Sequence, residues 1–156
     1  RWVIREQWGD NDDRPAKAFV NEDGMCGRIE AGDTTIRVEP AYPMFTMNLK
    51  PGEEKDYESR FTMGERTFIQ KIKAKRVEDE TLDIPAGKFE NCMHIKRDET
   101  LSFSRNGEEG TVTATREQWY HPKVNGMVKE TLQYSMGGQT APVSTSVLKE
   151  HGIEEK

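Results

Sequence analysis

The chain has few of the aliphatic residues that fill a thick protein core. Leu, Ile, Val and Phe together account for 28 of its 156 residues, a share at which disorder becomes a serious alternative. Disorder also requires a high net charge, whereas 23 basic residues nearly balance 28 acidic ones and leave a charge of −5. Six Phe, four Tyr, three Trp and seven Met add apolar area. We therefore expect a folded chain with a thin core, such as one curved sheet or an open barrel.

Long apolar runs and an excess of basic residues are also missing. No apolar stretch approaches the ~20 residues that span a bilayer, so we expect a protein that is at most peripheral to a membrane. A phosphate backbone rewards a basic face with interleaved aromatic residues, which this chain lacks, so no nucleic acid is expected as a partner. Because the chain begins with Arg1 and Trp2-Val3-Ile4 already has strand character, we expect a processed or trimmed product.

Cysteine and histidine are too scarce and too widely spaced to indicate a catalytic or metal site. The sequence lacks Gly-x-Ser-x-Gly, His-Glu-x-x-His and Cys-x-x-Cys, and its histidines are His94, His121 and His151. Cys26 and Cys92 lie 66 residues apart, so they form either a disulfide or two free thiols. For His94, next but one to Cys92, a solvated sheet face is a better interpretation than a Cys/His dyad. We expect no catalytic residues, no metal, no cofactor and hence no enzyme.

Two loop segments have partial likenesses to ligand sites. Asp10-Asn11-Asp12-Asp13 suggests calcium, but the EF-hand pattern requires an oxygen ligand and then Gly where this chain has Arg14 and Pro15. A solvated acidic loop is therefore preferred. Gly137-Gly138 is likewise interpreted as a flexible turn rather than a phosphate loop.

The dominant positive signal is the alternation of apolar and polar side chains, which is typical of half-buried strands. The alternating segments are residues 34–39, 45–49, 56–63, 68–75, 89–96 and 128–134. Turn-forming residues separate them, at Asp23-Gly24, Gly32-Asp33, Pro51-Gly52, Gly64-Glu65, Pro85-Ala86-Gly87, Asn106-Gly107 and Asn125-Gly126. Residues 144–151 could form a short helix, although Thr145-Ser146-Val147 favours a strand.

These patterns predict an all-β or mainly β fold. We expect a strongly curved antiparallel sheet of about ten strands, forming a half-barrel or open barrel with little helix, with one apolar face and one solvated face. We predict a single domain over residues 1–156, with a loop at 9–14 and a frayed tail at 152–156.

Two clusters combine tight turns with aromatic residues. Residues 84–89, Ile-Pro-Ala-Gly-Lys-Phe, predict a strand, a turn and a strand that restarts with an aromatic residue. Residues 119–129, Trp-Tyr-His-Pro-Lys-Val-Asn-Gly-Met-Val-Lys, predict a strand ending in paired aromatics, a turn and a returning strand. Packing of the aromatics and turn formation by the glycines account for both clusters structurally.

Together the two clusters resemble a pattern of uncharacterised extracytoplasmic bacterial proteins and lipoproteins, Pro-Ala-Gly-x-Phe … Trp-Tyr/Phe-x-Pro-x-Val-Gly-x-Val-Lys. Here Asn125 interrupts the Val-Gly pair, and the similarity extends over residues 43–135. The resemblance implies a curved sheet akin to the half-barrel of LolA-like lipoprotein-binding folds. It also implies residence in the periplasm or at the outer membrane, and it brings no catalytic residues.

Our leading hypothesis is a non-enzymatic bacterial envelope domain that binds an apolar ligand, a lipid or lipoprotein acyl chain, on a concave sheet face. The candidate lining residues are Phe45, Met47, Phe61, Met63, Phe68, Ile72, Phe89, Met93, Ile95, Trp119 and Val128. The alternative is a structural or interaction module that recruits an envelope protein through a sheet edge or the corner at residues 119–122. An enzyme is the third possibility, and its best sign would be a deep pocket holding His94 or His121 beside a carboxylate.

Overall fold

The computed structural model describes residues 2–7, 16–105, 107–124 and 126–149, and within them the chain forms eleven strands. The strands are β1 (Trp2–Gln7), β2 (Ala16–Asn21), β3 (Met25–Ala31), β4 (Thr34–Pro43), β5 (Glu54–Met63), β6 (Arg66–Ile84), β7 (Gly87–Arg105), β8 (Glu108–His121), β9 (Gly126–Met136), β10 (Gln139–Thr140) and β11 (Ser144–Val147). One 3-10 turn, Pro122–Val124, follows β8. The loop at 9–14, the acidic segment at 10–13, Asn106, Asn125, His151 and the tail at 152–156 lie outside the described residues.

The strands form one antiparallel sheet in which sequence neighbours are also spatial neighbours. The order runs from β1 to β10, and β11 returns to pair with β9. Short turns join most of the strands, which is the connection that antiparallel pairs allow. The sheet does not close on itself, and the described residues contain no α-helix. The structure therefore confirms an almost entirely β fold built on an open antiparallel sheet, and β11 confirms the strand preference of Thr145-Ser146-Val147.

The predicted hairpin turns are found where glycine supplies unusual backbone angles. Gly64 lies in the two-residue turn between β5 and β6 with a φ of 60°, a value that residues with a Cβ rarely adopt. The turns at Asp23-Gly24, Gly32-Asp33, Pro51-Gly52 and Pro85-Ala86 are confirmed as well.

The prediction of a strand over residues 45–49 is wrong. β4 ends at Pro43, and the following ten residues form turns and irregular backbone. Phe45 N donates to the carbonyl of Gly24 at 3.1 Å instead of joining a neighbouring strand. Because Pro43 and Pro51 flank the segment and cannot donate to a ladder, the alternation of apolar residues does not continue as a strand.

By internal contacts the chain divides into two compact units. Unit 1 comprises Arg1–Asn48, Asp56–Ile72 and Thr100–Val112, and unit 2 comprises Leu49–Lys55, Lys73–Glu99 and Thr113–Lys156. Strands β6, β7 and β8 contribute residues to both units.

No helix in the described ranges is long and apolar enough to cross a membrane.

Each unit has its own cluster of buried apolar side chains. The cluster in unit 1 is built on Ala18, Val20 and Cys26. The cluster in unit 2 consists of Leu82, Phe89, Cys92, Trp119 and Val128. Both clusters are small, as the low aliphatic content predicts.

Strand β7 departs from the expected division into one apolar and one solvated face. His94 and Ile95 are consecutive, so they point to opposite faces, yet both are buried. Asn91 has a φ of 55°, a left-handed value that Asn tolerates better than most residues. This irregularity lets Phe89 and Cys92, three residues apart, join the same apolar cluster. Both faces of β7 are therefore covered in unit 2.

Candidate functional site

The predicted lining residues do not form one set in the structure. Phe45, Met47, Phe61, Met63, Phe68 and Ile72 belong to unit 1, and Phe89, Met93, Ile95, Trp119 and Val128 belong to unit 2. Five of them are core residues with at most 5 % exposure: Ile72, Phe89, Ile95, Trp119 and Val128. Such residues contribute to stability and offer little surface to a ligand.

Phe45, Met47 and Met93 are half-buried but lie apart from the other candidates. Phe45 packs against the Ala18 cluster of unit 1 and is held by its hydrogen bond to Gly24. Met47 lies in a turn, and Met93 lies on β7 in unit 2. The misplaced strand at residues 45–49 is the reason that the sequence grouped Phe45 and Met47 with the sheet face.

The remaining candidates belong to a half-buried apolar surface that we name the apolar face of unit 1. Its six members are all of intermediate exposure: Phe61, Met63, Phe68, Leu101, Phe103 and Val112. The two-residue turn after β5 puts Phe61 and Phe68 on the same side of the sheet. The rings of Phe68 and Phe103 have centroids 6.5 Å apart, and this contact connects β6 to β7.

A glycine makes room for one of these rings. A Cβ placed on Gly110 would overlap Cζ of Phe103, a contact that cannot be tolerated without movement. The Phe103 ring therefore packs directly on the backbone of β8. Packing an aromatic ring over a strand glycine shields the backbone that the glycine exposes.

A second group of residues, whose clustering the sequence did not predict, joins four strands of unit 2. We name it the aromatic column: Glu80 on β6, His94 on β7, Trp119 on β8 and Lys129 on β9. The rings of His94 and Trp119 stack with centroids 4.4 Å apart, and Lys129 Nζ lies 4.8 Å from the Trp119 ring centroid. Trp119 Nε1 donates to Glu80 Oε2 at 2.9 Å. The column thus combines stacking, a cation–π contact and a charge-assisted hydrogen bond.

The column also accounts for the burial of His94. Its Nε2 lies 3.0 Å from Glu117 Oε1, and its Nδ1 lies 3.5 Å from Glu80 Oε2. The interpretation of His94 as a solvated residue is therefore wrong, because the residue is only 8 % exposed and its ring is covered by Trp119. Alternation along β7 gave the correct face but could not show what covers that face.

The nearby thiol is not an activated nucleophile. Cys92 Sγ donates to the carbonyl of Phe89 at 3.4 Å. Burial raises the pKa of the Cys92 thiol, and the charges of Glu80 and Asp79 raise it further. A reactive cysteine requires the opposite shift. Both cysteines are buried free thiols, which decides between the two alternatives left open by the sequence.

His121 has a structural environment of its own. Its Nε2 donates to the carbonyl of Glu90 at 3.0 Å, and its Nδ1 accepts a bond from the backbone N–H of Lys123 at 3.0 Å. The ring therefore fastens the turn after β8 through Nδ1 and ties it to β7 through Nε2. This arrangement explains the His-Pro pair of the second sequence cluster.

A buried ionic network lies on β7, β8 and β9 of unit 2. Glu99 contacts both arginines, at 3.5 Å from Arg97 Nη2 and 2.6 Å from Arg116 Nε. Arg116 Nη1 in turn lies 2.9 Å from Glu130 Oε1, and Gln118 Nε2 donates to Glu130 Oε2 at 3.0 Å. Its members are Arg97, Glu99, Arg116, Gln118, Tyr120 and Glu130. The two positive and two negative charges compensate one another, as buried charges must.

Two open clefts are described, one in each unit. The charged cleft in unit 1 has a volume of about 660 Å³ and is lined by Arg37, Glu39, Pro40, Glu58, Ser59, Arg60 and Thr62. The cleft in unit 2 has a volume of about 560 Å³ and is lined by Pro51, Gly52 and residues 75–79. Neither His94 nor His121 lines either of these two clefts.

Among the described residues, no group of three or more His, Cys, Asp or Glu side chains is arranged to hold a metal ion. The chain matches no protein-family model, and no curated protein and no solved structure is significantly similar to it.

Proposed function

We propose that this chain is a non-enzymatic domain of the bacterial envelope that binds an apolar ligand, such as a lipid or lipoprotein acyl chain, on the apolar face of unit 1. The observation that carries the proposal is the intermediate exposure of six apolar side chains on β5 to β8. A ligand could bury these side chains further without displacing the core. In unit 2, by contrast, Phe89, Trp119 and Val128 already pack against one another.

The size of the hydrophobic effect is sufficient for such a ligand. Removing one methylene group from water contributes about 0.8 kcal/mol. An acyl chain that buries roughly ten methylene groups would therefore gain about 8 kcal/mol before the cost of association is subtracted. The free energy that remains after this cost is subtracted supports reversible binding of an acyl chain.

The composition of the face favours a long, unbranched ligand. Phe61, Phe68 and Phe103 provide flat apolar surfaces on three neighbouring strands. Met63 adds an unbranched and adaptable side chain, which can follow ligands of different shape. The resemblance of the two sequence clusters to extracytoplasmic proteins and lipoproteins supplies the envelope location in this proposal, in the periplasm or at the outer membrane.

The non-enzymatic part of the proposal is supported by the environments of the reactive groups. His94 is stacked under Trp119 and flanked by two carboxylates. Burial raises the pKa of the Cys92 thiol. His121 uses its two ring nitrogens to hold a turn and tie it to β7. None of these three side chains combines a free reactive atom with a described cleft.

Displacement of a fluorescent fatty acid tests the binding proposal. The wild-type protein should bind the probe saturably and release it to excess unlabelled fatty acid. Met63→Gln places an amide of similar length on the apolar face and should weaken binding by roughly tenfold, because an amide is costly to bury without partners. Met136→Gln is the matched control, since Met136 is 61 % exposed and lies in unit 2.

The variants decide between binding at this face and nonspecific partition. Equal weakening by Met63→Gln and Met136→Gln would place the probe elsewhere. Absence of saturable binding by the wild-type protein would end the proposal. Phe68→Leu, which keeps the face apolar, should retain most of the affinity.

A second candidate function, a protein-interaction module, is favoured by the edge formed by β9, β10 and β11. Tyr134, Met136 and Val143 in this region are 49 %, 61 % and 56 % exposed, and β11 is a short edge strand without charge or proline. A photo-crosslinking residue at position 136 should give a discrete adduct in envelope extracts if this edge is an interface. The same residue at exposed position 22 should give none.

A further inference from the structure

The charged cleft lies where β4 separates from both of its neighbours. On one side, the ladder with β5 pairs Arg37 with Thr62 and Val38 with Phe61. On the other side, the register with β3 shifts so that the single residue Gly27 faces residues 38–41 of β4. β4 therefore bulges over these four positions. Bulges in sheets frequently redirect side chains near binding sites.

Specific residues hold the bulge open. Pro40 lies within it and has no N–H to donate to a ladder. Ser59 Oγ donates to the carbonyl of Ala41 at 3.0 Å, so a side chain replaces a backbone bond between the two strands. Ser59 is completely buried and forms part of the cleft lining. The concavity is thus built into unit 1 and does not require a ligand to form.

The bulge leaves four charged side chains without a partner among the residues that the structure describes. If the ladder continued past Val38 and Phe61, Glu39 would face Arg60 and could form a cross-strand ion pair. Instead, the side chains of Arg37, Glu39, Glu58 and Arg60 make no hydrogen bond or ion pair with any described residue. Elsewhere on the surface such pairs do form, as between Lys73 and Glu54 at 3.3 Å.

We propose that the charged cleft binds a small zwitterion that carries a phosphate and a primary amine. The guanidinium groups of Arg37 and Arg60 suit a phosphate, which they can contact through two parallel hydrogen bonds each. The carboxylates of Glu39 and Glu58 suit the three N–H donors of an ammonium group. The volume of about 660 Å³ lies in the range of small-ligand sites. This site is independent of the apolar face and of its proposed ligand.

Calorimetric titration with O-phosphoethanolamine tests the proposal on the whole chain. The wild-type protein should bind it saturably. O-phosphocholine is the matched ligand control, because its quaternary ammonium has no N–H to donate to a carboxylate, and it should bind at least several-fold more weakly. Vesicles containing phosphatidylethanolamine, compared with pure phosphatidylcholine vesicles, show whether the zwitterion can be presented by a lipid or is accepted only in free form.

Variants of the cleft separate the two charge roles. Arg60→Gln should weaken binding of O-phosphoethanolamine by roughly tenfold. Glu39→Gln should weaken it to a similar degree but leave the affinity for inorganic phosphate unchanged or increased, since that ligand has no amine. A merely structural effect would not produce this split. Arg66→Gln and Glu65→Gln, exposed in the β5–β6 turn region of the same unit, should remain within about twofold of the wild type.

Three results would overturn the proposal. They are the absence of saturable binding of O-phosphoethanolamine, equal affinity for O-phosphocholine, and equal weakening by Arg60→Gln and Arg66→Gln. Binding to vesicles in addition to the free ligand would support it with a lipid as the source, and binding of the free ligand alone would support it with a soluble source.

Discussion

At the scale of single residues, the contact between Gly110 and Phe103 shows how closely the apolar face is packed on its strand. We expect Gly110→Ala to lower the free energy of unfolding by about 1–2 kcal/mol, because the new methyl group must displace the ring. Urea unfolding measures this loss. Phe103→Leu removes the ring, so adding Gly110→Ala to that variant should cost less than it does in the wild type. If Gly110→Ala lowered the free energy of unfolding equally in the wild type and in Phe103→Leu, the contact between Gly110 and the Phe103 ring would be contradicted.

The two thiols give a prediction about pH. Burial raises the pKa of both Cys26 and Cys92 above the ordinary value of 9.0. The raised pKa values stabilise the folded state as long as the thiols of the unfolded chain are protonated. This contribution is lost as the pH rises through the pKa values of the thiols in the folded chain. We therefore expect the free energy of unfolding to fall above about pH 9, and Cys92→Ala to reduce that fall. An unchanged alkaline slope in Cys92→Ala would contradict the prediction.

Sequence reasoning at this scale succeeded for exposed residues and failed for covered polar ones. Lys71, Lys73 and Lys75 are solvated around the buried Ile72 and Ala74, as the alternation predicts. His94 is buried instead, and the burial of Arg97 and Glu99, for which no prediction was made, also has no signal in the alternation. Their partners come from other strands, and a single sequence contains no record of those distant contacts.

At the scale of secondary structure elements, the buried ionic network ties β7, β8 and β9 together. Glu99 is the central member, since it contacts both Arg97 and Arg116. We expect Glu99→Gln to lower the free energy of unfolding by roughly 3 kcal/mol, because removing the charge leaves buried guanidinium groups uncompensated. Glu54→Gln, which breaks the exposed pair with Lys73, should cost less than about 1 kcal/mol.

The network prediction has a clear contrary outcome. Similar losses for Glu99→Gln and Glu54→Gln in chemical unfolding would mean that the network is solvated in solution. A variant with Arg97→Met and Glu99→Leu together, which keeps the Arg116–Glu130 pair, should recover part of the loss if burial of charge is the cause.

Most strands and turns could be predicted because their side chains alternate and their turns contain glycine. The error at residues 45–49 arose because three apolar residues at alternate positions also suit a loop that packs inward. Leu49 is in fact buried at 4 % exposure without belonging to a strand. The irregularity at Asn91 could not be predicted either, since alternation assumes an unbroken strand.

At the scale of the whole molecule, three strands run through both units. Because β6, β7 and β8 continue from one unit into the other, we expect the chain to unfold in one cooperative transition. Each unit contains one buried thiol, Cys26 or Cys92. Pulsed thiol labelling at increasing urea concentrations, read out by mass spectrometry, should therefore give the same midpoint for both cysteines. Separate midpoints would show that the units unfold independently.

The overall fold class was predictable from the sequence, whereas the position of the candidate site was not. Period-two patterns define strands, and short turns define antiparallel neighbours. The same patterns cannot separate a core residue such as Ile95 from a half-buried one such as Phe68. That difference depends on what covers each position in three dimensions.

The order of strands has a consequence for how the protein is made. Each strand from β2 to β10 pairs with the one that precedes it in the chain, so the sheet can grow by one hairpin at a time as the polypeptide emerges. Every intermediate would present a fresh unpaired edge to other nascent chains. β11 turns back onto β9 and pairs with residues 129–132. A chain truncated before Ser144 should leave this edge of β9 unpaired and therefore accumulate as aggregate during synthesis.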